Sequence, residues 1–408
     1  VAELEIRALR PSEIEAFVQT SYYAFHGRSL EQRRQDFAGR VTPERNILVA
    51  FEDGDIVGQV MIYEFWIWIA GVRYPTGGLA NVVTPPEKAR RGHARQMLRA
   101  TLGWMRDELG QSLSTLYPTV YPLYRGLGWA HADDTRQITG PPTAFRPDAA
   151  LPEDPAAKIV RRPARAGDVD LLAPVYTAFA RERTGYPDRP RWWWEARVLG
   201  LARDVPSWLG LWHANDGSLA GYVVYSFAGP DDSQLRIYEL TALRPEAYEG
   251  LLRFVAAHNL VTEVTMSAGR DVPWRSLVAN PHQLKIEARD DLNYMLRIVD
   301  IPRAIALKTA EVPGVSHAVT LRVVDEHAPW NDGVWRVATS DGHWSARPAP
   351  GARPDASADI STISALFGGF VNVADAADTG LLRADARSLP VLDALFHVKY
   401  PPTSRDHF

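Results

Sequence analysis

Two hydrophobic periods alternate along the first third of the chain. Leu4, Ile6 and Ala8 lie two apart, the period of a half-buried strand. From Ile14 the side chains of Phe17, Val18, Ser21, Tyr22 and Phe25 fall at helical spacing. Ser12 and Glu15 stand ahead of them in a capping-box pattern, and Gly27 is placed to end the helix. ILVAF, the turn Glu52-Asp53-Gly54-Asp55 and the run IVGQVMIYEFWIWIAG read as a meander of antiparallel strands. GGLANVVT is a further strand, closed by a Pro-Pro turn. A helix from about Gly92 sets Ala94, Met97, Leu98, Thr101, Leu102, Met105 and Leu109 on one face, and SLSTLYP returns to a strand. The predicted order is β-α-β-β-β-α-β, followed by the turn YPLYRGLGW and a last strand.

The pattern then repeats. RRPARAGDVDLL, from Arg161, resembles IRALRPSEIEAF, from Ile6, and NDGSLAGYVVY, from Asn215, resembles EDGDIVGQVMI, from Glu52. Similar offsets imply one fold used twice. GPPTAFRPDAALPEDPAA, between the copies, reads as a linker. From about Pro302 the pattern changes. LRVVDEHAPW and GVWRVATSDGHWSA read as strands, and DISTISALFGGF and SLPVLDALFHV as short helices. The expected division is 1–150, 151–301 and 302–408, all of α+β character.

Composition narrows the function classes. A net charge of −4 gives no electrostatic footprint for nucleic acid. The absence of cysteine excludes disulfides, thiolate metal sites and a cysteine nucleophile, and fits a reducing compartment. The histidines show no metal-binding spacing such as HExxH. No run of about 18 apolar residues predicts a membrane span, and the charged start VAELEIRALRPSE is unlike a signal peptide. A cytoplasmic location is expected.

Candidate chemistry centres on NVVTPPEKARRGHARQMLRATLGWM. A strand stops at Pro85-Pro86, and the basic turn Ala89-Arg90-Arg91-Gly92-His93-Ala94 opens an amphipathic helix. Free backbone N–H groups and the positive end of the helix dipole meet there, so a diphosphate is the natural ligand. Gly92 lets the backbone approach it, Ala94 leaves room, and Arg90 and Arg91 can add charge-assisted bonds. The competing reading is a solvated basic helix start. In the second copy, ELTALRPEAYEGLLRFV has no basic pair and no glycine at the helix start, and Glu246 and Glu249 would repel phosphate, so that copy reads as structural.

The basic turn resembles the coenzyme A pyrophosphate loop of GNAT-type N-acetyltransferases, Arg/Gln-x-x-Gly-x-Gly/Ala. The whole chain is similar to the enhanced intracellular survival (Eis) family: two tandem GNAT-type domains and a sterol-carrier-protein-like domain. The resemblance implies an acetyl-CoA-dependent N-acetyltransferase acting on small-molecule amines, and a homo-oligomer, a hexamer in the family. Ala89 stands where the family has an arginine, which removes one side-chain contact. By the resemblance, Val82, Val83 and Thr84 meet the pantetheine arm, and Thr119 and Val120, on the strand after the helix, line its other side. Arg90, Arg91, Gly92, His93, Ala94 and Arg95 hold the diphosphate. Tyr124 in Tyr-Arg-Gly-Leu-Gly matches the family's general acid, with Tyr117 and Tyr121 as competitors. The terminal carboxylate of Phe408 matches the family's base, with Asp406 and His407 as neighbouring alternatives. Tyr22, Phe25, His26 and His407 are expected at the substrate. In Trp192-Trp193-Trp194, two rings are expected to pack and one to face a pocket. Trp66 and Trp68 read as core. A second reading makes the chain a binding protein whose sterol-carrier-like unit holds an apolar ligand, with the GNAT halves as scaffold. Calorimetric titration with acetyl-CoA separates the two.

Overall fold

The computed structural model describes residues 4–38, 42–201, 203, 205–289, 294–309, 316–404 and 406. The first unit begins with β1 (Glu5–Ala8), α1 (Ile14–Ala24), α2 (Leu30–Ala38), β2 (Ile47–Glu52), β3 (Asp55–Ile69) and β4 (Val72–Val83). It continues with α3 (His93–Asp107), β5 (Leu113–Leu116), α4 (Tyr121–Arg125) and β6 (Ala130–His131). The β2–β3 hairpin closes through Asp53 and Gly54, both at positive φ, the two-residue turn whose twist matches antiparallel strands. α3 buries Met97, Leu98, Thr101, Leu102 and Met105, the predicted face. Phe65, Ile67 and Ile69 face the core. Trp66 does not: it is 41% exposed, and the Arg73 guanidinium lies 4.8 Å over it, whereas Trp68 is half-buried and packs against the core as expected.

The second unit contains β7 (Arg136–Gly140), β8 (Lys158–Pro163), α5 (Val169–Ala180), β9 (Pro187–Asp188), α6 (Arg191–Trp193), β10 (Trp208–His213), β11 (Leu219–Ala228) and β12 (Gln234–Ala242). α7 (Pro245–Ala256), β13 (Glu263–Ala268), α8 (Trp274–Leu277), β14 (Lys285–Ala288) and β15 (Met295–Ile298) follow. The internal repeat is visible in side chains. Arg7 forks onto Glu13, and Arg162 onto Asp168 six residues on, each with an N–H bond of 2.8 Å. The same carboxylates accept the backbone N–H groups of Arg10 and Arg165. This corrects the predicted cap. The helix is entered through a 3-10 turn at Pro11–Glu13, so Glu13 rather than Glu15 closes the box, and Glu15 binds Arg34 instead.

The expected boundary between residues 150 and 151 does not follow the sheets. The first sheet runs β1-β2-β3-β4-β5-β15-β6, with β9 on β3, and the second runs β14-β7-β13-β12-β11-β10-β8. Each half thus donates a strand to the other: β15 lies between β5 and β6, and β7 between β13 and β14. Every residue of β5 and β15 is buried, so the exchanged strand is an interior member of its sheet. The proposed linker also packs, with Phe145 buried in the core.

The third unit holds α9 (Ile301–Leu307), β16 (Ala318–Val324), β17 (Gly333–Ser340), β18 (His343–Pro348), β19 (Ala356–Asp359), α10 (Ile360–Phe367), α11 (Val373–Asp378), β20 (Arg383–Ala384) and α12 (Leu389–Phe396). Its sheet runs β18-β17-β16-β19-β20. One hydrophobic core runs through all three units, from Phe65 and Tyr74 through Trp193 and Leu240 to Leu321 and Phe396.

Candidate active site

α3 starts at Gly92, which caps it with φ +86, and no side chain caps its first turn. Arg90 is also left-handed, at φ +62. A Cβ added to Gly92 meets nothing within 4 Å, so the space before the turn is open. The exposed side chains there are Arg90, Arg91 and Arg95. Beneath the turn, Glu52 accepts Lys88 Nζ at 3.2 Å and lies 3.5 Å from His93 Nε2 and 3.7 Å from Arg91. The Lys88 ammonium is the main cause holding the Glu52 carboxyl below its usual range. His93 departs from expectation: its ring is buried under the turn, leaving its backbone N–H as the group available to a ligand.

Beside this cradle the first sheet opens. β4 and β5 pair in parallel from Thr76↔Leu113 to Leu79↔Leu116, and then part as β4 runs on to Val83. Val82 and Thr84 are half-buried along this edge and Val83 is buried. Asn81, at φ +52, makes a bulge where β4 faces Gln59–Met61. Its amide donates to Ser21 Oγ at 2.7 Å, and the Gln59 amide donates to the same oxygen at 2.8 Å. This trio, of which Ser21 and Gln59 are buried and Asn81 is half-buried, was missed by sequence reasoning and fixes the end of α1 to the opening. Tyr22 follows Ser21 and is 43% exposed. His26 is exposed, and Phe25 is half-buried near the Arg33 guanidinium. On the opposite side, Thr119 and Val120 lie in the loop before α4 rather than on the expected strand, because β5 ends at Leu116.

Tyr124 is 4% exposed, set edge-on to Trp129 at 6.2 Å and hydrogen-bonded to the Thr119 side chain. Burial pushes its phenol up to about 12, against the opposing effect of Thr119. Gly128 explains the turn that follows. It sits at φ +95, and a Cβ there would lie 1.7 Å from Arg297 Nη1 and 2.7 Å from Ile360 Cγ2. Arg297, fully buried, binds Asp325 at 2.8 Å. The third unit grips the same turn elsewhere. His327 donates from Nε2 to the Gly126 carbonyl at 2.9 Å and accepts Arg99 Nε on Nδ1 at 2.8 Å. Ser361 Oγ donates to the Trp129 carbonyl at 3.2 Å. Of the competing tyrosines, Tyr117 is engaged, its phenol donating to the main-chain oxygen of Asp406, and Tyr121 is exposed.

The C-terminal tail packs against the body: Pro402, Thr403, Ser404 and Asp406 are buried, and Thr403 N–H bonds the Thr184 carbonyl at 2.9 Å. The Asp406 carboxylate is held by Arg189 Nε and Trp193 Nε1, each at 2.9 Å, which removes it as an alternative base. His407 and Phe408 lie outside the described residues. Trp193 and Trp194 are buried, whereas Trp192 is half-buried and stacks on Tyr63 at 6.2 Å. In the second copy Glu249 is paired with Arg253 at 2.7 Å, and α7 opens on Pro245.

Comparison with known proteins gives matches along the chain. Residues 5–132 match a family model described as an acetyltransferase (GNAT) domain, residues 185–298 a second of the same description, and residues 301–404 a sterol carrier protein domain. A protein of Streptomyces avermitilis, described as an uncharacterized N-acetyltransferase, is 25% identical over 391 residues, covering 93% of each chain. Among solved structures, a GCN5-related N-acetyltransferase from Anabaena variabilis aligns over 100% of both chains with a TM-score of 0.85 at 21% identity. Eis1 from Mycobacterium abscessus aligns over 100% of both chains with a TM-score of 0.80 at 22% identity. These likenesses establish the shared three-part fold.

Proposed function

We propose, from two domains matched as GNAT acetyltransferases and a third matched as a sterol carrier protein domain, that this chain is an Eis-like enzyme that transfers an acetyl group from acetyl-CoA to a primary amine of a small molecule. Attack is direct, with both substrates bound. The observation that carries the reading is the uncapped start of α3 beside the parting of β4 and β5. An anion fits the first, because unpaired N–H groups and the dipole converge there. An extended arm fits the second, because the edge of β4 past Leu79 lacks its β5 partner.

In this reading the N–H groups from Gly92 to Arg95, with Arg90, Arg91 and Arg95, hold the diphosphate. Val82, Val83 and Thr84 hold the pantetheine arm, and Thr119 and Val120 form the facing wall. When bound, acetyl-CoA supplies the thioester carbonyl and a thiol leaving group. Tyr124, at about 12, stays protonated at neutral pH. Against a thiol of roughly 8.5, complete proton transfer from that phenol is uphill by about 5 kcal/mol. Tyr124 therefore acts chiefly as a hydrogen-bond donor to the charge growing on sulfur. The base is the Phe408 carboxylate. Tyr22, Phe25, His26 and His407 bound the amine, and a net charge of −4 suits a cationic one, aminoglycoside-, lysine- or secondary-metabolite-like. We place the enzyme in the cytoplasm as a homo-oligomer, a hexamer as the family resemblance implies.

Titration calorimetry with acetyl-CoA tests the proposal. One site per chain is expected, since the second copy carries Glu246 in the first turn of α7 and lacks the basic turn. An amine panel with thiol-release detection then identifies the acceptor. Absence of binding, or two sites per chain, overturns the reading.

A further inference from the structure

The second GNAT domain lacks the phosphate cradle, yet its sheet parts in the same way. β12 and β13 pair in parallel from Gln234↔Glu263 to Ile237↔Met266 and then separate. Glu239 lies just past that point and is buried. It accepts Arg189 Nη1 at 3.1 Å and the phenol of Tyr222. The same guanidinium turns its other edge to Asp406, with Nε to Oδ1 at 2.9 Å and Nη2 to Oδ2 at 3.1 Å. Trp193 Nε1 adds a bond of 2.9 Å to Asp406 Oδ1. Tyr176 stacks 3.8 Å from the guanidinium, and Trp194 4.9 Å from it. The side chains of Arg189, Glu239 and Asp406 are 1%, 3% and 4% exposed.

Two carboxylates around one guanidinium in such a place are a costly way to hold a core together. Desolvation offsets most of the attraction, and apolar packing of equal volume serves stability as well or better. What a forked, buried ion pair adds is position, since the guanidinium binds each carboxylate in one geometry. Here it fixes one tail residue. The main chain of that residue faces the other way, its carbonyl accepting the phenol of Tyr117, which directly follows β5 of the first domain. Asp406 thus joins the parted sheet of the second domain to the parted sheet of the first.

We propose that the second domain serves as the receptacle of the C-terminal tail, with Arg189 as the positioning residue that sets where the chain end lies. This rests on the reading that the Phe408 carboxylate works in the first domain. Phe408 follows Asp406 by two residues, so the place of the Asp406 main chain bounds the reach of the terminal carboxylate to roughly 7 Å. Misplacement by about 1 Å can lower a rate on the order of 10²-fold.

The test uses the full-length protein and the variant Asp406→Asn, which keeps the shape of the side chain and the Arg189–Glu239 pair. Carboxypeptidase digestion followed by mass spectrometry reads the tail without needing activity. Asp406→Asn should lose Phe408 and His407 roughly 10- to 100-fold faster than the native protein, the population change expected for one lost charge-assisted bond. Glu239→Gln, which keeps the Arg189–Asp406 contact, should lose them more slowly than Asp406→Asn. In turnover assays kcat should fall by a similar factor for Asp406→Asn, with acetyl-CoA affinity within about twofold. If Asp406→Asn does not fold, Arg189→Lys carries the same measurements, because a point charge cannot fork to both carboxylates. A tail as protected as in the native protein overturns the proposal, as does a kcat loss that only follows a loss of melting temperature. Should the native protein acetylate no amine, the catalytic reading fails while the digestion still decides the anchoring.

Discussion

Asp133 offers a quantitative test of how the tail is packed. It is fully buried just after β6 and accepts the hydroxyl of Thr135 on Oδ2, while Oδ1 has no hydrogen-bond partner among the described residues. The backbone N–H groups of Ser404 in the tail and of Asp134 also favour its charged form. Burial outweighs these bonds and pushes it from 3.8 to about 7. A carboxyl raised on folding contributes fully to stability below its unfolded value, and that contribution is lost as pH rises toward and through the folded value. The window therefore runs from about pH 4 to about pH 7, at about 1.4 kcal/mol per pH unit. Between about pH 5 and about pH 8 the native protein should lose roughly 2–3 kcal/mol through Asp133 alone. Asp133→Asn removes the titration, keeps one oxygen to accept Thr135, and leaves its amide near an unpartnered position at a pH-independent cost of about 1 kcal/mol. Relative to the native protein, the variant should be near-neutral or slightly more stable at about pH 5, and more stable by roughly 3 kcal/mol at about pH 8. Urea unfolding of both proteins across that range measures the difference, with other titrating groups common to the two. Parallel stability profiles would show that Asp133 is solvated or paired in a way the buried geometry does not allow.

Gly128→Ala should destabilise by roughly 4–6 kcal/mol, combining a left-handed alanine with displacement of Arg297 from Asp325; a loss under about 1 kcal/mol in urea unfolding contradicts the packing of this turn. Tyr124→Phe should lower kcat roughly 10²- to 10³-fold without changing acetyl-CoA affinity, as loss of one preorganised donor does, and near-native turnover would return Tyr124 to a packing role. Arg90→Glu should weaken acetyl-CoA binding by on the order of 1–3 kcal/mol in calorimetry, and unchanged affinity would discard the phosphate cradle. His327, whose burial and Arg99 neighbour hold its pKa below the usual imidazole value, stabilises the Tyr124 turn in its neutral form. That contribution is present above the unfolded value of about 6.5 and lost as pH falls below it. Between about pH 7 and about pH 5, the native melting temperature should therefore fall more than that of His327→Gln, and equal slopes would remove His327 from the interface.

Local features were legible in the sequence because they depend on neighbours within a few residues. The apolar face of α3, the Asp53-Gly54 hairpin, the basic turn at Gly92 and the burial of two of the three consecutive tryptophans follow from periodicity and turn chemistry, whereas the third, Trp192, stacks on Tyr63 and packs on the core instead of facing a pocket. The repeat was legible because the Arg7–Glu13 and Arg162–Asp168 pairs lie six residues apart in each copy. Even so, a shift of the helix start by one 3-10 turn moved the cap from Ser12 and Glu15 to Arg10 and Glu13, a choice made by the Arg7 fork. What only the tertiary structure decided is where distant segments meet. β15 enters the first sheet and β7 the second because hydrogen bonding along a sheet edge selects for register and burial, not for nearness in the chain. Gly128 looked like a turn glycine, and its turn does need positive φ, but the guanidinium pressed against it comes from Arg297. In the sequence Asp406 stands only as a neighbouring alternative to the Phe408 base. Its fixed place depends on Arg189 and Trp193, more than two hundred residues earlier, and a bond of that separation leaves no local pattern to read.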